Sequence, residues 1–198
     1  MLYGELRAQL LRCGDPTDVD RIVRVRCPRK PVIGLRMPTI GHVLTNFLSR
    51  CELRDDHARG IADALWDGVF HEEELAACRL LRTTKTTITP HQMFRWAGYA
   101  DNWLSADELA VCVGEACAGG LIKMSSLERL RRSRSDWARR VFVVAMIVAA
   151  RSGTDRTQCD PLIRSMTADP RRRVTDAVAR YMRASDDSAV ASCGDDGA

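Results

Sequence analysis

The sequence predicts an all-α fold, an α-solenoid of about five antiparallel helix pairs. Three observations predict the helical class: helix-start signals recur along the chain, the segments between them are short, and no stretch sustains strand alternation. The 198 residues, 45% apolar and 28% charged, suit a single domain with a sizeable core. That domain is expected over 1–185, followed by a tail at 186–198.

From the N-terminus, a helix is expected over 2–13. Residues 14–34 hold three prolines and several charges and read as an extended connection. Pro38 opens a helix to about residue 50, Asp55 or Asp56 caps the next to about Trp66, and another runs from His71 to Thr83. Thr89-Pro90 places a cap before proline at the first helical position. Ser105 with Glu108, and Ser125 with Glu128, match the capping box, in which serine and glutamate satisfy each other's backbone donors. Asp136 to Arg151 carries an apolar stripe of Trp137, Val141, Val144, Ala145 and Val148. Asp160-Pro161 and Asp169-Pro170 repeat the cap-then-proline pattern. About ten short helices pair naturally into five hairpins, although an irregular helical bundle has the same periodicity. The last thirteen residues, DDSAVASCGDDGA, are small, polar and acidic, which predicts disorder.

The longest apolar run, Val141 to Ala150, falls well short of the roughly 18 residues that span a bilayer. The opening MLYGELRAQLLRCG mixes charges among its leucines and does not read as a signal peptide. A cytoplasmic, nucleoid-associated protein, monomeric, is the expectation. Eight cysteines are scattered, with no CxxC pair and no histidine at ligand spacing. Cys78, Cys112 and Cys117 fall among apolar residues, where a thiol acts as a small hydrophobe. The histidines at 42, 57, 71 and 91 are isolated and read as surface or capping residues. No metal site is expected.

Net charge is only +4, but it is unevenly placed. Residues 1–119 hold 15 basic and 16 acidic side chains, whereas residues 120–185 hold 15 basic and 6 acidic. A helical half this basic has the footprint of a polyanion-binding surface, or of a solvated basic face. Within it lie two clusters, Arg129, Arg131, Arg132 and Arg134, then Arg171, Arg172 and Arg173. The second sits where a helix begins, and helix-terminal amides favour phosphate. Arginine binds phosphate through a planar fork.

Two tryptophan-centred segments carry a resemblance. They are Asn102-Trp103-Leu104-Ser105-Ala106-Asp107, an N-W-x-x-x-D pattern, and Trp137-Ala138-Arg139-Arg140, a W-x-R-R pattern. Upstream, Gly34-Leu35-Arg36-Met37-Pro38 is similar to a G-[VI]-x-x-P segment, and Leu65-Trp66 through Glu72 to Ala77 to an L-W-x(5)-E-x-x-x-A-A stretch. In this order, over about 32–183, the chain resembles the DNA alkylation-repair glycosylases built from HEAT-like repeats. The resemblance implies HEAT-like helix pairs, a curved solenoid whose basic concave face holds duplex DNA, and a cleft beside the damaged nucleotide. It assigns that cleft to Trp103, Asp107 and Arg140 as catalytic residues. The DNA-binding candidates are Arg139, Arg132, Arg134, Arg171, Arg172 and Arg173.

The residues suit the implied chemistry. Trp103 and Asp107 are four apart and share a helix face. A cationic N3- or N7-alkylpurine already leaves well, so the task is to oppose positive charge on the deoxyribose and direct water to C1′, which a carboxylate does for glycosides. Trp103 offers a π-face to a cation, and Arg140 a fork for the adjacent phosphate. Each residue has a plainer role available: Trp103 as a core or hinge aromatic, Asp107 as a first-turn acid, Arg139 and Arg140 as a solvated pair. Trp137 is expected in the core. The family's second aromatic, in a G-W-x-L-R-E pattern, meets Arg180 here, with Tyr181 displaced by one position, about 100° round the helix. The implied function is excision of N3/N7-alkylated purines from duplex DNA, needing neither metal nor cofactor. A DNA-binding module without chemistry and a helical protein-interaction scaffold remain alternatives.

Overall fold

The computed structural model describes residues 2–192, with side chains described through Arg183. Among the described residues there are eleven α-helices, one 3₁₀ turn and no strand. The helices are α1 (Leu2–Arg12), α2 (Pro16–Arg26), α3 (Met37–Leu48), α4 (Asp55–Trp66), α5 (His71–Thr83), α6 (Pro90–Tyr99), α7 (Trp103–Ala118), α8 (Glu128–Arg131), α9 (Asp136–Arg151), α10 (Arg156–Arg164) and α11 (Arg172–Ser192). None of the described helices is long and apolar enough to cross a membrane. Of the tail expected at 186–198, residues 186–192 continue α11, and residues 193–198 lie outside the described residues.

Several helices start where the sequence places them. Thr89 caps α6 by accepting from the Gln92 amide at 3.2 Å, and Gln92 answers by accepting from the Thr89 amide at 3.1 Å. Ser135 caps α9 through the Ala138 amide. Four expectations are corrected. Residues 14–34 are not simply extended, because α2 occupies 16–26: Asp15 accepts from the Thr17 amide, and Pro16 stands at the first helical position, where its missing N–H costs nothing. Ser105 does not cap α7, because Asn102 does so three residues earlier. Ser125 and Glu128 form no capping box. Hydrogen bonds from Arg131 and Arg132 claim the Glu128 carboxylate instead and hold its pKa at about 2, leaving a 3₁₀ turn (Met124–Leu127) and the single turn of α8. Finally, Asp155 rather than Asp160 caps α10, so Pro161 lies inside that helix. Asp160 is engaged elsewhere, accepting from the Tyr181 hydroxyl at 2.6 Å.

The core is continuous from Leu6 on α1 to Tyr181 on α11. Trp66 and Trp96 stack within it, 4.5 Å apart and 2° from parallel. The odd-numbered helices form a series in which α1 packs on α3, α3 on α5, α5 on α7, α7 on α9 and α9 on α11. The most extensive of these interfaces, α7 with α9, is set by Gly114. A Cβ there would stand 2.6 Å from both the Ala145 carbonyl oxygen and Val148 Cβ, well inside contact distance. Removing the side chain lets the two backbones close, and that closeness positions the pair described below.

His71, expected at the surface or as a cap, is instead fully buried as the first residue of α5, behind the Phe70 cap position. It belongs to a polar cluster made by three consecutive glutamates, Glu72, Glu73 and Glu74, all buried. Glu72 accepts from the amides of Ile33, Gly34 and Leu35 at 2.9–3.1 Å, closing the connection between α2 and α3 around one carboxylate. Gly34, at φ +94°, passes so close to the Asp15 carbonyl that no side chain fits. Glu73 accepts from Arg7 and from the Phe70 amide. Glu74 accepts from the Ser105 hydroxyl at 2.5 Å and pairs with Lys30 at 2.9 Å. Burial alone would raise the Glu74 pKa. The facing His71 imidazole, the Lys30 ammonium and the Ser105 hydroxyl outweigh it and bring the carboxyl below its usual range.

Candidate functional site

Asn102 fixes the start of α7. Its side-chain carbonyl accepts from the Leu104 and Ser105 amides, both at 3.0 Å, and its amide group donates to Asp101 and to Ser105 Oγ. Ser105 in turn donates to Glu74, so the first turn of α7 is tied into the glutamate cluster of α5. Trp103 is therefore the first helical residue, and Asp107 lies one turn in rather than beside a Ser105 cap. The two are on one face, as the spacing predicts. The Trp103 ring is half-buried, and its Nε1 donates to the Val25 carbonyl at the end of α2, 3.2 Å away.

Asp107 meets Arg140 across the α7–α9 interface. Arg140 Nε donates to Oδ1 and Nη2 to Oδ2, both at 2.7 Å, while Nη1 donates to the Arg173 carbonyl at 2.8 Å. The pair is asymmetric: the Arg140 side chain is 4% exposed and that of Asp107 22%. The guanidinium is spent inside the protein and the carboxylate reaches water. Asp107 and Arg140 line a pocket of about 270 Å³ whose other walls are Val144, Ile147 and Arg151 from α9 and Ala177, Arg180 and Tyr181 from α11. Sequence reasoning found Asp107, Arg140 and Arg180 but not Arg151. Its i, i+4 spacing from Ile147 was the available signal. Tyr181 is buried and donates to Asp160 while it lines the pocket.

The expected DNA-binding arginines divide by how they are held. Arg139 pairs with the fully buried carboxylate of Asp169, and burial lowers its pKa, with repulsion from Arg171 adding to that. Arg171 donates to Asp136 at 2.7 Å and also faces Asp169. Arg132 is exposed but pairs with Glu128. Arg134 and Arg172 project into solvent, and Arg173 lies over the Trp137 ring at 4.5 Å. Trp137 is thus half-buried beneath a cation rather than enclosed in the core. So Arg134, Arg172 and Arg173 remain presented at the surface, while Arg139 and Arg171 are mostly internal ties.

A profile of the DNA alkylation repair enzyme family matches residues 6–187. The chain belongs to that family. No match to a curated protein was found. A role in DNA repair follows at the level of the DNA alkylation repair enzymes as a whole, and the helical content agrees with the family expected from the tryptophan segments.

Proposed function

We propose that the protein is a monofunctional N-glycosylase that releases N3- or N7-alkylated purines from duplex DNA, without metal or cofactor. The observation that carries this reading is the Asp107–Arg140 pair at the pocket, whose carboxylate is the member that water reaches. A carboxylate held there by a bidentate guanidinium has a fixed orientation, and fixed charge is what opposes an oxocarbenium-like transition state without reorganisation. The alkylated base carries its own positive charge and leaves as the N-glycosidic bond breaks. Asp107 opposes the charge left on the sugar and steers the water that adds at C1′. Trp103, one turn away, contributes a π-face beside the same site. Arg140 acts on Asp107 rather than on phosphate, because its donors are committed inside the protein.

The series of odd-numbered helices, each packed on the next, supports a solenoid of stacked HEAT-like pairs with its basic face toward duplex DNA. The outward arginines Arg134, Arg172 and Arg173 serve as phosphate contacts. A second reading, a DNA-binding module without chemistry, is favoured by Arg180, which stands where the resemblance calls for tryptophan.

Methylated duplex DNA tests the choice. Wild type is expected to release N3- and N7-methylpurines, detected by mass spectrometry. Asp107→Asn should lower release by one to a few powers of ten, the scale of removing one electrostatic interaction from a transition state, about 2.7–4 kcal/mol. Binding without any release would give the case to the module.

A further inference from the structure

The geometry points to Arg151 and Arg180 as a seat for an oxyanion of the DNA in the pocket beside Asp107. This rests on the DNA reading above but not on base excision. The two residues come from different helices, α9 and α11, and meet at one pocket. Both are exposed, and neither side chain has an ion pair or hydrogen bond among the described residues. In this they differ from Arg139, Arg140 and Arg171, whose charges are answered by Asp169, Asp107 and Asp136.

The balance of charge selects the ligand. Asp107 and Arg140 cancel, so the pocket keeps the two positive charges of Arg151 and Arg180. Between these and the ion pair lie Val144, Ile147 and Ala177, an apolar floor. Two guanidiniums over an apolar floor suit a group with an oxyanion at one end and carbon at the other, since each planar fork takes two oxygens while the floor covers the carbon. On DNA, such an oxyanion comes either from a backbone phosphodiester with its deoxyribose or from a carboxylate carried by the lesion, as on a carboxymethylated purine. Arg180 would then be a substitution of function, replacing an aromatic wall by an anion contact.

The test is binding, read by fluorescence anisotropy with full-length wild type, Arg151→Gln, Arg180→Gln, the double variant and Arg50→Gln, an exposed control at the end of α3. Circular dichroism confirms that each is folded. Two duplexes are used, one undamaged and one bearing a single carboxymethylated purine. If the source is backbone phosphate, wild type should lose about three- to fourfold more affinity for undamaged duplex than the double variant between 50 and 200 mM salt, because one neutralised phosphate contributes about 0.9 to the slope. If the source is the lesion, undamaged binding is unchanged, and wild type prefers the carboxymethylated duplex by about tenfold in a way the double variant does not. A double variant that binds both duplexes with wild-type affinity and salt slope overturns the proposal, as does a wild type that binds neither. A wild type that binds as expected but releases no base overturns only the glycosylase reading.

Discussion

Residues 1–119 take three carboxylates, Glu72, Glu73 and Glu74, out of water and spend them on backbone amides and neighbouring side chains. Residues 120–185 bury carboxylates too, Asp169 fully, but too few to answer 15 basic side chains. Near-equal numbers of opposite charges let the first region use ions as internal fasteners. A surplus of one sign obliges the second to present charge at its surface. One region builds the frame on which α7 begins, and the other supplies the surface. The Asp107–Arg140 pair joins them.

The largest effect should come from the frame. Glu72→Ala strands the Ile33, Gly34 and Leu35 amides, and unsatisfied buried donors cost about 1–3 kcal/mol each, so a decrease of about 3 kcal/mol or more is expected in urea denaturation. The exposed pair Arg82–Glu115 gives the contrast: Glu115→Ala should cost less than about 1 kcal/mol. Equal decreases would erase the distinction between fasteners and surface charge. Next comes the site pair. Asp107→Asn leaves a buried guanidinium without its counter-ion and should cost about 2–3 kcal/mol, the scale of hydrogen bonds to charged groups. Arg140→Met removes the buried charge and leaves a carboxylate that water reaches, so it should cost less. The reverse order would show that the carboxylate, not the guanidinium, is the desolvated partner.

Acid sharpens the comparison further. Glu74 has a folded-state pKa below its ordinary value of 4.5, so its stabilisation is present above that value and is lost as pH falls through the lowered one. Melting temperature should drop as pH falls below the ordinary glutamate value of 4.5, and Glu74→Gln should show a smaller drop on the same acidification. An equal drop would assign the acid sensitivity to other carboxylates. The smallest stability effect belongs to the outward arginines. Arg134→Gln with Arg172→Gln should change stability by about 0.5 kcal/mol or less. The same pair should make the salt dependence of duplex binding shallower by about 0.9 for each phosphate that the protein no longer neutralises.

Much of the fold was legible because its signals are local. Thr89 before Pro90 caps the helix it precedes, and α5 and α9 run between the expected residues. Helix α2 was hidden by the prolines flanking it, although Asp15-Pro16 is the same cap-then-proline signal read elsewhere. Ser105, Glu128 and Asp160 misled for one shared reason: each polar side chain found a stronger partner than the local backbone donor. The site was legible as a pair of motifs, since Asp107 and Arg140 both lie in tryptophan segments. The role of Arg140 was not, because its burial depends on how closely α7 approaches α9 at Gly114. Arg139 and Arg171 read as surface cations for a similar reason, as nothing in the local sequence reveals that Asp169 is buried between helices.

The stacked indoles of Trp66 and Trp96 have an optical consequence. Two transition dipoles held face to face at 4.5 Å couple, so the native protein should carry an exciton couplet in far-ultraviolet circular dichroism that vanishes when α4 parts from α6. The other two indoles, Trp103 and Trp137, are half-buried at the candidate site, where fluorescence emission responds to an arriving ligand. The unlabelled chain thus reports on its frame in absorption and on its site in emission.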